Sequence, residues 1–188
     1  CSFEFFNPIM TNKKIKILGI SGSLRTSSSA GAVLEIVSKL VPDHVDLKIY
    51  TGVGDIPAFD DSKEIPFTVM GFIKQIENAG GVFFCIPEYA VGVPGALKNA
   101  LDWTVSATAF SEKPVALITA ASQGQKAHAA MLDILTAIGS KMNMGSNLLI
   151  SFIRSKLDEK NELKDKDTLE AVKKLVDTFI RTIEERKE

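Results

Sequence analysis

Apolar positions recur along this chain in two periods, and the switching between them lays out its elements. Ile15, Ile17, Leu18 and Ile20 predict a short β-branched strand over Lys14 to Ser21. Val45, Leu47 and Ile49 alternate, which predicts a second strand over Val45 to Tyr50. Val82 to Ile86 is almost wholly apolar, as expected of a central parallel strand covered on both faces. Pro114 to Ala120 and Asn147 to Phe152 read as the fourth and fifth strands. Between them lie helical patterns. One runs from about Ser28 to Leu40, with Ala30, Val33, Leu34, Val37 and Leu40 on one face and Ser27 to Ser29 as candidate caps. Others run from Pro66, suited to a first helical position, to about Ala79, from Gly95 to about Ser106, and from Lys126 to about Ile138. Leu169, Val172, Val176, Phe179 and Ile183 give the last helix, from about Asp167 to Arg186, a face that docks on a sheet. The charged stretch Ser155 to Lys166 is expected to be a loop or a frayed turn.

Five strands alternating with five helices imply a parallel sheet with helices on both faces. Ligands of such open sheets sit beyond the carboxyl ends of the strands, where strand order reverses. The loops after the first, third and fourth strands are therefore the ones to search for chemistry.

Composition narrows the function classes. The chain has 188 residues, 45% hydrophobic and 24% charged, which fits one globular domain over residues 14–188 behind an N-terminal extension at 1–13. A formal net charge of -1 exerts no long-range pull on nucleic acid or an anionic membrane, and neither is expected as a partner. No apolar run approaches a membrane span, and the first ten residues lack the basic and apolar regions of a secretory signal, so a cytoplasmic location is the expectation. Cys85, inside an apolar run, reads as a small buried hydrophobe rather than a nucleophile, and with Cys1 it makes no disulfide framework. His44 and His128 stand far apart with no cysteine near either, so neither zinc nor a histidine triad is expected.

The first loop, Gly22-Ser-Leu-Arg-Thr-Ser-Ser-Ser29, follows a strand and opens a helix. Backbone N–H groups at a helix start point outward and carry partial positive charge. Hydroxyls add donors, and Arg25 adds a planar cationic fork, a set suited to a phosphate dianion as well as to simple helix capping. No Gly-Lys-Ser or Gly-Lys-Thr ends the loop, so nucleotide triphosphate hydrolysis is not expected, and the Gly-x-Gly-x-x-Gly spacing is missing too. The third loop begins the run Pro87-Glu-Tyr-Ala-Val-Gly-Val-Pro-Gly-Ala-Leu-Lys-Asn-Ala-Leu-Asp-Trp103. Its prolines and glycines fix an irregular backbone on which a flat heteroaromatic ring can lie, flanked by Tyr89. Asn99, Asp102 and Trp103, on the following helix, are expected to brace the loop or pack a subunit contact. Glu88 is expected to make a backbone or subunit contact rather than serve as an acid.

This pair of motifs resembles the NADPH-dependent FMN reductase family, which carries Gly-Ser-x-Arg-x-x-Ser-x-Asn in the first loop and Pro-Glu-Tyr-Asn-x-Ser-x-Pro-Gly-x-Leu-Lys-Asn-x-x-Asp-Trp in the third. Asp55-Ile-Pro-Ala-Phe59 is similar to the family's acidic-Leu-Pro-x-Phe stretch, and the similarity covers roughly Lys14 to Ile138. The resemblance implies an α/β, flavodoxin-like three-layer sandwich with strand order 2-1-3-4-5, FMN as cofactor, NADPH as donor, and a homodimer or homotetramer. By motif position, Ser23, Arg25 and Ser28 would hold the FMN phosphate. Pro87, Glu88 and Tyr89, with the peptide groups through Ala90 and Val91, would border the flavin ring, and Ser122, Gln123 and Gly124 would meet its other side. Ala30, Ala90 and Gly92 stand where the family has Asn, Asn and Ser. A lost hydrogen bond to a charged group costs about 1.5–3 kcal/mol, a weakening of roughly 10- to 150-fold, unless Ser27 or Ser29 replaces the contact at position 30.

The function so implied is hydride transfer from NADPH to bound FMN and onward to a small-molecule electron acceptor: a flavin, a quinone, an azo compound or the like. Such chemistry resides in the cofactor and requires no side-chain nucleophile or base, so no catalytic residue is assigned and no metal is expected. Two rivals of other classes are a flavodoxin-type electron carrier and a flavin-free binding domain of the same fold.

Overall fold

Side chains on successive residues of a strand leave the sheet on opposite faces, so a strand covered on both sides must be apolar throughout. In the computed structural model, which describes residues 14–60 and 64–186, this holds for two of the three inner strands, β3 (Gly81–Ile86) and β4 (Val115–Ala120), buried at every residue. They lie in one parallel five-stranded sheet with β1 (Ile15–Ser21), β2 (Val45–Tyr50) and β5 (Asn147–Ile150), in the order β2-β1-β3-β4-β5. The N-terminal extension expected at residues 1–13 lies outside the described residues.

The alternation sorts the core into two halves. Leu18, Ile20, Val82, Phe84, Ile86 and Leu117 face one layer, packed by α2 (Phe67–Asn78), α3 (Gly95–Asp102) and α4 (Gln125–Ala137). Ile17, Phe83, Cys85, Ala116 and Ile118 face the other, packed by α1 (Ser29–Leu40) and the last helix. Burial pushes the Cys85 thiol well above its ordinary pKa, so it is the inert small hydrophobe expected of it.

Three boundaries differ from the sequence reading. The third helix stops at Asp102 rather than near Ser106; the Thr104 hydroxyl donates to the Leu101 carbonyl (2.7 Å), an alternative to continuing the helix. β5 ends at Ile150, because Phe152 takes a left-handed conformation (φ 55°) that turns the chain. A single helical turn, α5 (Ile153–Lys156), follows it, too short to show a period in sequence. The final helix, α6 (Lys166–Glu185), starts on the cap of Asp165, whose carboxylate accepts from the Thr168 hydroxyl, Lys156 Nζ (3.1 Å) and the Thr168 backbone N–H (3.0 Å). These hydrogen bonds, that of the Thr168 hydroxyl foremost, hold the Asp165 pKa down at about 2.

Strand order reverses between β1 and β3. Their carboxyl ends are tied directly, the Gly22 N–H donating to the Cys85 carbonyl (2.9 Å). A Cβ on Gly22 would lie 3.0 Å from the Cβ of Ile86, so glycine lets the two loop origins come this close without a shift of either.

Candidate functional site

Loop one opens α1 through Ser28, whose Oγ accepts from the Gly31 N–H (2.9 Å) while its own hydroxyl proton remains able to donate outward. The Ser23 hydroxyl is drawn inward instead. It lies 2.8 Å from the Tyr89 hydroxyl and accepts from the Arg25 N–H (3.3 Å), so Ser23 fastens loop one to loop three. Loop three is held in turn to α4. Glu88 Oε2 accepts from the backbone N–H groups of Lys126 (3.1 Å) and Ala127 (3.0 Å), a carboxylate on a helix N-terminus. Its engagement is the backbone contact expected of Glu88, and it leaves the carboxylate committed rather than poised as an acid.

Between these loops lies a cleft of about 330 Å³, at the small end of the range for ligand clefts. Its walls include Arg25, Ser27 to Ala30, Pro87 to Tyr89 and Ala121 to Gln123. The structure thus brings together Arg25, Ser28, Pro87, Glu88, Tyr89, Ser122 and Gln123. Ser23, Ala90, Val91 and Gly124 do not line this cleft. Gly124 shapes it from behind, with φ 93° at the start of α4 and a position where a Cβ would sit 2.7 Å from Leu149 Cδ1. Two wall residues from α5, Ile153 and Arg154, escaped the sequence reading. The signal of Arg154 in sequence is one arginine just ahead of the charged stretch, and only the turn at Phe152 brings it to the cleft.

The residues match the family described as NADPH-dependent FMN reductase over positions 15–153, most of the chain. The protein belongs to the NADPH-dependent FMN reductase family. Among its relatives, a quinone reductase of Escherichia coli K12 is 28% identical over 169 residues, covering 85% of this chain and 90% of that one. An NAD(P)H-dependent FMN reductase of Pseudomonas aeruginosa is 36% identical over 113 residues, 57% of this chain and 60% of the relative. FerB, a flavoenzyme NAD(P)H:(acceptor) oxidoreductase from Paracoccus denitrificans, superposes with a TM-score of 0.79 at 23% identity, covering 90% of this chain and 97% of its own, and an archaeal flavodoxin superposes at 0.62 and 12%, covering 90% and 99%. The fold is flavodoxin-like, and the chain is an oxidoreductase of a flavin- and quinone-reducing family that acts with FMN and NAD(P)H on small molecules. Among the described residues no helix is long and apolar enough to cross a membrane.

The family signature beyond the third loop has a bracing role in this reductase. Asn99 Oδ1 accepts from the Phe59 N–H (2.7 Å), and its Nδ2 donates to the carbonyls of Pro57 (2.8 Å) and Ile56 (3.4 Å). Trp103 Nε1 donates to the same Pro57 carbonyl (2.9 Å), while its ring meets Phe59 edge-on at 5.1 Å. Asp102 pairs with Lys98 (2.6 Å). Trp103, 5% exposed, is therefore engaged inside its own chain, in the bracing role that was one of the two expected of it. The apolar residues Ala127, Met131 and Leu135 of α4 likewise face the core.

Tyr89 to Gly92 close a two-residue hairpin turn, each donating its N–H to the other's carbonyl (3.0 Å), with Ala90 at φ 47° and Val91 at φ 64°. Positive φ at both central positions is the type I′ pattern that asparagine and glycine adopt readily and a β-branched residue does not. The left-handed conformation costs an ordinary residue roughly 1–2 kcal/mol. Val91→Gly is expected to raise stability by about 1 kcal/mol net of its greater unfolded-state freedom, a rise in Tm of about 2–4 °C for a chain of this size. Thermal unfolding checks it; an unchanged or lower Tm would contradict the strain.

His128 sits behind the fourth-strand loop. With Asn147 Oδ1 as acceptor 3.3 Å away, Nε2 carries the proton and Nδ1 accepts from the buried Thr119 hydroxyl (2.9 Å). Burial lowers the His128 pKa below 6.5, outweighing the opposing bond to Asn147. As pH falls below about 6.5 the unfolded chain takes up a proton that the folded chain does not, so folding stability drops through that window. Urea unfolding at neutral and mildly acidic pH is expected to show the loss, and His128→Gln to flatten it. An equally steep loss in that variant would place the effect elsewhere.

Proposed function

We propose that residues 14–188 act as one FMN-binding domain that oxidises NADPH and passes the electrons to a quinone, a flavin, an azo compound or a similar acceptor. The observation that carries this is the meeting of loops one, three and four in one cleft at the switch point, with the Arg25 guanidinium unpaired among the described residues. The donor set fits a phosphate: a free planar cation, the outward hydroxyl of Ser28 and the positive end of α1. Arg25 and Ser28 are the residues that would hold it. Tyr89 and the loop of Ser122, Gln123 and Gly124 would border the ring, with the peptide groups of Ala90 and Val91 at the rim. When bound, FMN supplies hydride acceptance from NADPH and electron donation to the acceptor. The protein's own part is placement: Ser23 and Glu88 hold loop three against loop one and α4, so that the ring-facing wall is rigid before a ligand arrives.

The resemblance of the chain to a quinone reductase and to an NAD(P)H-dependent FMN reductase supports the acceptor class. A homodimer or homotetramer working in the cytoplasm completes the proposal. The test is steady-state turnover of purified protein with FMN, comparing NADPH with NADH and a quinone with free FMN and an azo dye, alongside size-exclusion chromatography. Turnover faster with NADPH than with NADH supports the reading; no FMN-dependent oxidation of either nucleotide overturns it.

A further inference from the structure

Arg154 reaches the cleft by a specific piece of architecture. Phe152, left-handed at φ 55°, reverses the chain after β5, and its N–H donates to the Ser122 carbonyl (3.0 Å). The next N–H, of Ile153, donates to the Ala121 carbonyl (3.2 Å), and the Ile153 side chain is buried in the core. The turn α5 is thus pinned to the fourth-strand loop, and the residue after the pin is Arg154. A strained aromatic residue held in place by a neighbouring functional loop is where structural strain tends to serve a site.

The charges on α5 are treated differently. Lys156 is committed to Asp165 and Thr168 on the far side (3.1 and 2.9 Å). The Arg154 guanidinium has no partner among the described residues, and neither has that of Arg25. The one carboxylate in the cleft wall, Glu88, is occupied by two backbone N–H groups. Two uncompensated guanidinium groups around one small cleft repel each other until an anion enters, and a dianion satisfies both. Position 154 lies just past the residues that match the family, 15–153.

We propose that Arg154 is a second phosphate-binding residue, which meets the phosphate of FMN from α5 as Arg25 and Ser28 meet it from loop one, and replaces the polar contact absent at Ala30. This rests on the reading of the cleft as the FMN site. The shared chemistry is a phosphate monoester dianion, which FMN and the ribose phosphate of NADPH both carry, and the contact is assigned to FMN because the cleft wall is built from the loop that starts α1.

The test measures dissociation constants of FMN and of riboflavin, by flavin fluorescence, for flavin-stripped wild type, Arg154→Gln and Arg154→Lys. Arg154→Gln is expected to weaken FMN binding about tenfold or more while leaving riboflavin unchanged. Arg154→Lys recovers part of the loss, and added salt narrows the gap between wild type and Arg154→Gln. Equal FMN affinities in wild type and Arg154→Gln overturn the assignment. So does a variant whose FMN affinity is intact but whose KM for NADPH rises relative to NADH, since Arg154 would then read the nucleotide. A wild type that binds neither flavin overturns the flavin site itself, and the role of Arg154 with it.

Discussion

Trp103→Ala is expected to cost about 3–5 kcal/mol of folding stability, the range for truncating a large buried aromatic side chain. For a chain of this length each kcal/mol moves the Tm by about 2–4 °C, so a fall of about 6–20 °C is expected. The reason is local. The indole is 5% exposed, supports Phe59 edge-on and shares the Pro57 carbonyl with Asn99. Its removal leaves a cavity and takes away one of the two braces on the 55–59 segment, that of Asn99 remaining. Trp103→Phe keeps most of the packing and leaves Pro57 its bond from Asn99, so the expected cost is about 1 kcal/mol. Calorimetry of the two variants separates packing from hydrogen bonding. A Trp103→Ala protein as stable as wild type would show that the segment needs no brace.

Arg25→Gln is expected to weaken FMN binding by roughly 10- to 150-fold, the loss of a charge-assisted contact to a dianion. Riboflavin, which has no phosphate, is expected to bind both proteins alike. Glutamine keeps a donor but neither the charge nor the fork, so the contrast isolates the guanidinium. Arg25 is exposed and its side chain makes no hydrogen bond or ion pair with another described residue, so the variant is expected to leave the fold intact. Retention of FMN through gel filtration gives a second readout that does not depend on turnover. Equal weakening of FMN and riboflavin would place Arg25 against the ring or the loop rather than the phosphate.

Much of this was legible in the sequence, for physical reasons that differ by residue. The unbroken apolar run at Val82–Ile86 announces a strand buried on both faces, and it is one. The cap could be placed within Ser27 to Ser29, because a serine ahead of a periodic apolar stripe suits that role, and Ser28 takes it. The fate of the Ser23 hydroxyl could not, because its partner, Tyr89, lies 66 positions away and only the parallel pairing of β1 with β3 brings them together. For Trp103 the sequence leaves a brace and a subunit contact both open, because exposure is invisible in it; the intrachain partner, the 55–59 segment, follows a different strand. Arg154 was hidden for a third reason. Its position depends on one left-handed residue, and nothing in the letter at Phe152 announces a conformation that phenylalanine adopts only under constraint.

The central claim is that the cleft between loops one, three and four holds a flavin that NADPH reduces. The measurement that tests it most directly is the absorbance spectrum of protein incubated with FMN, freed of unbound ligand and then treated anaerobically with NADPH. A retained flavin band that NADPH bleaches and a quinone restores is the predicted result. A protein that retains no flavin, or whose bound flavin stays oxidised with both NADPH and NADH, would contradict the account.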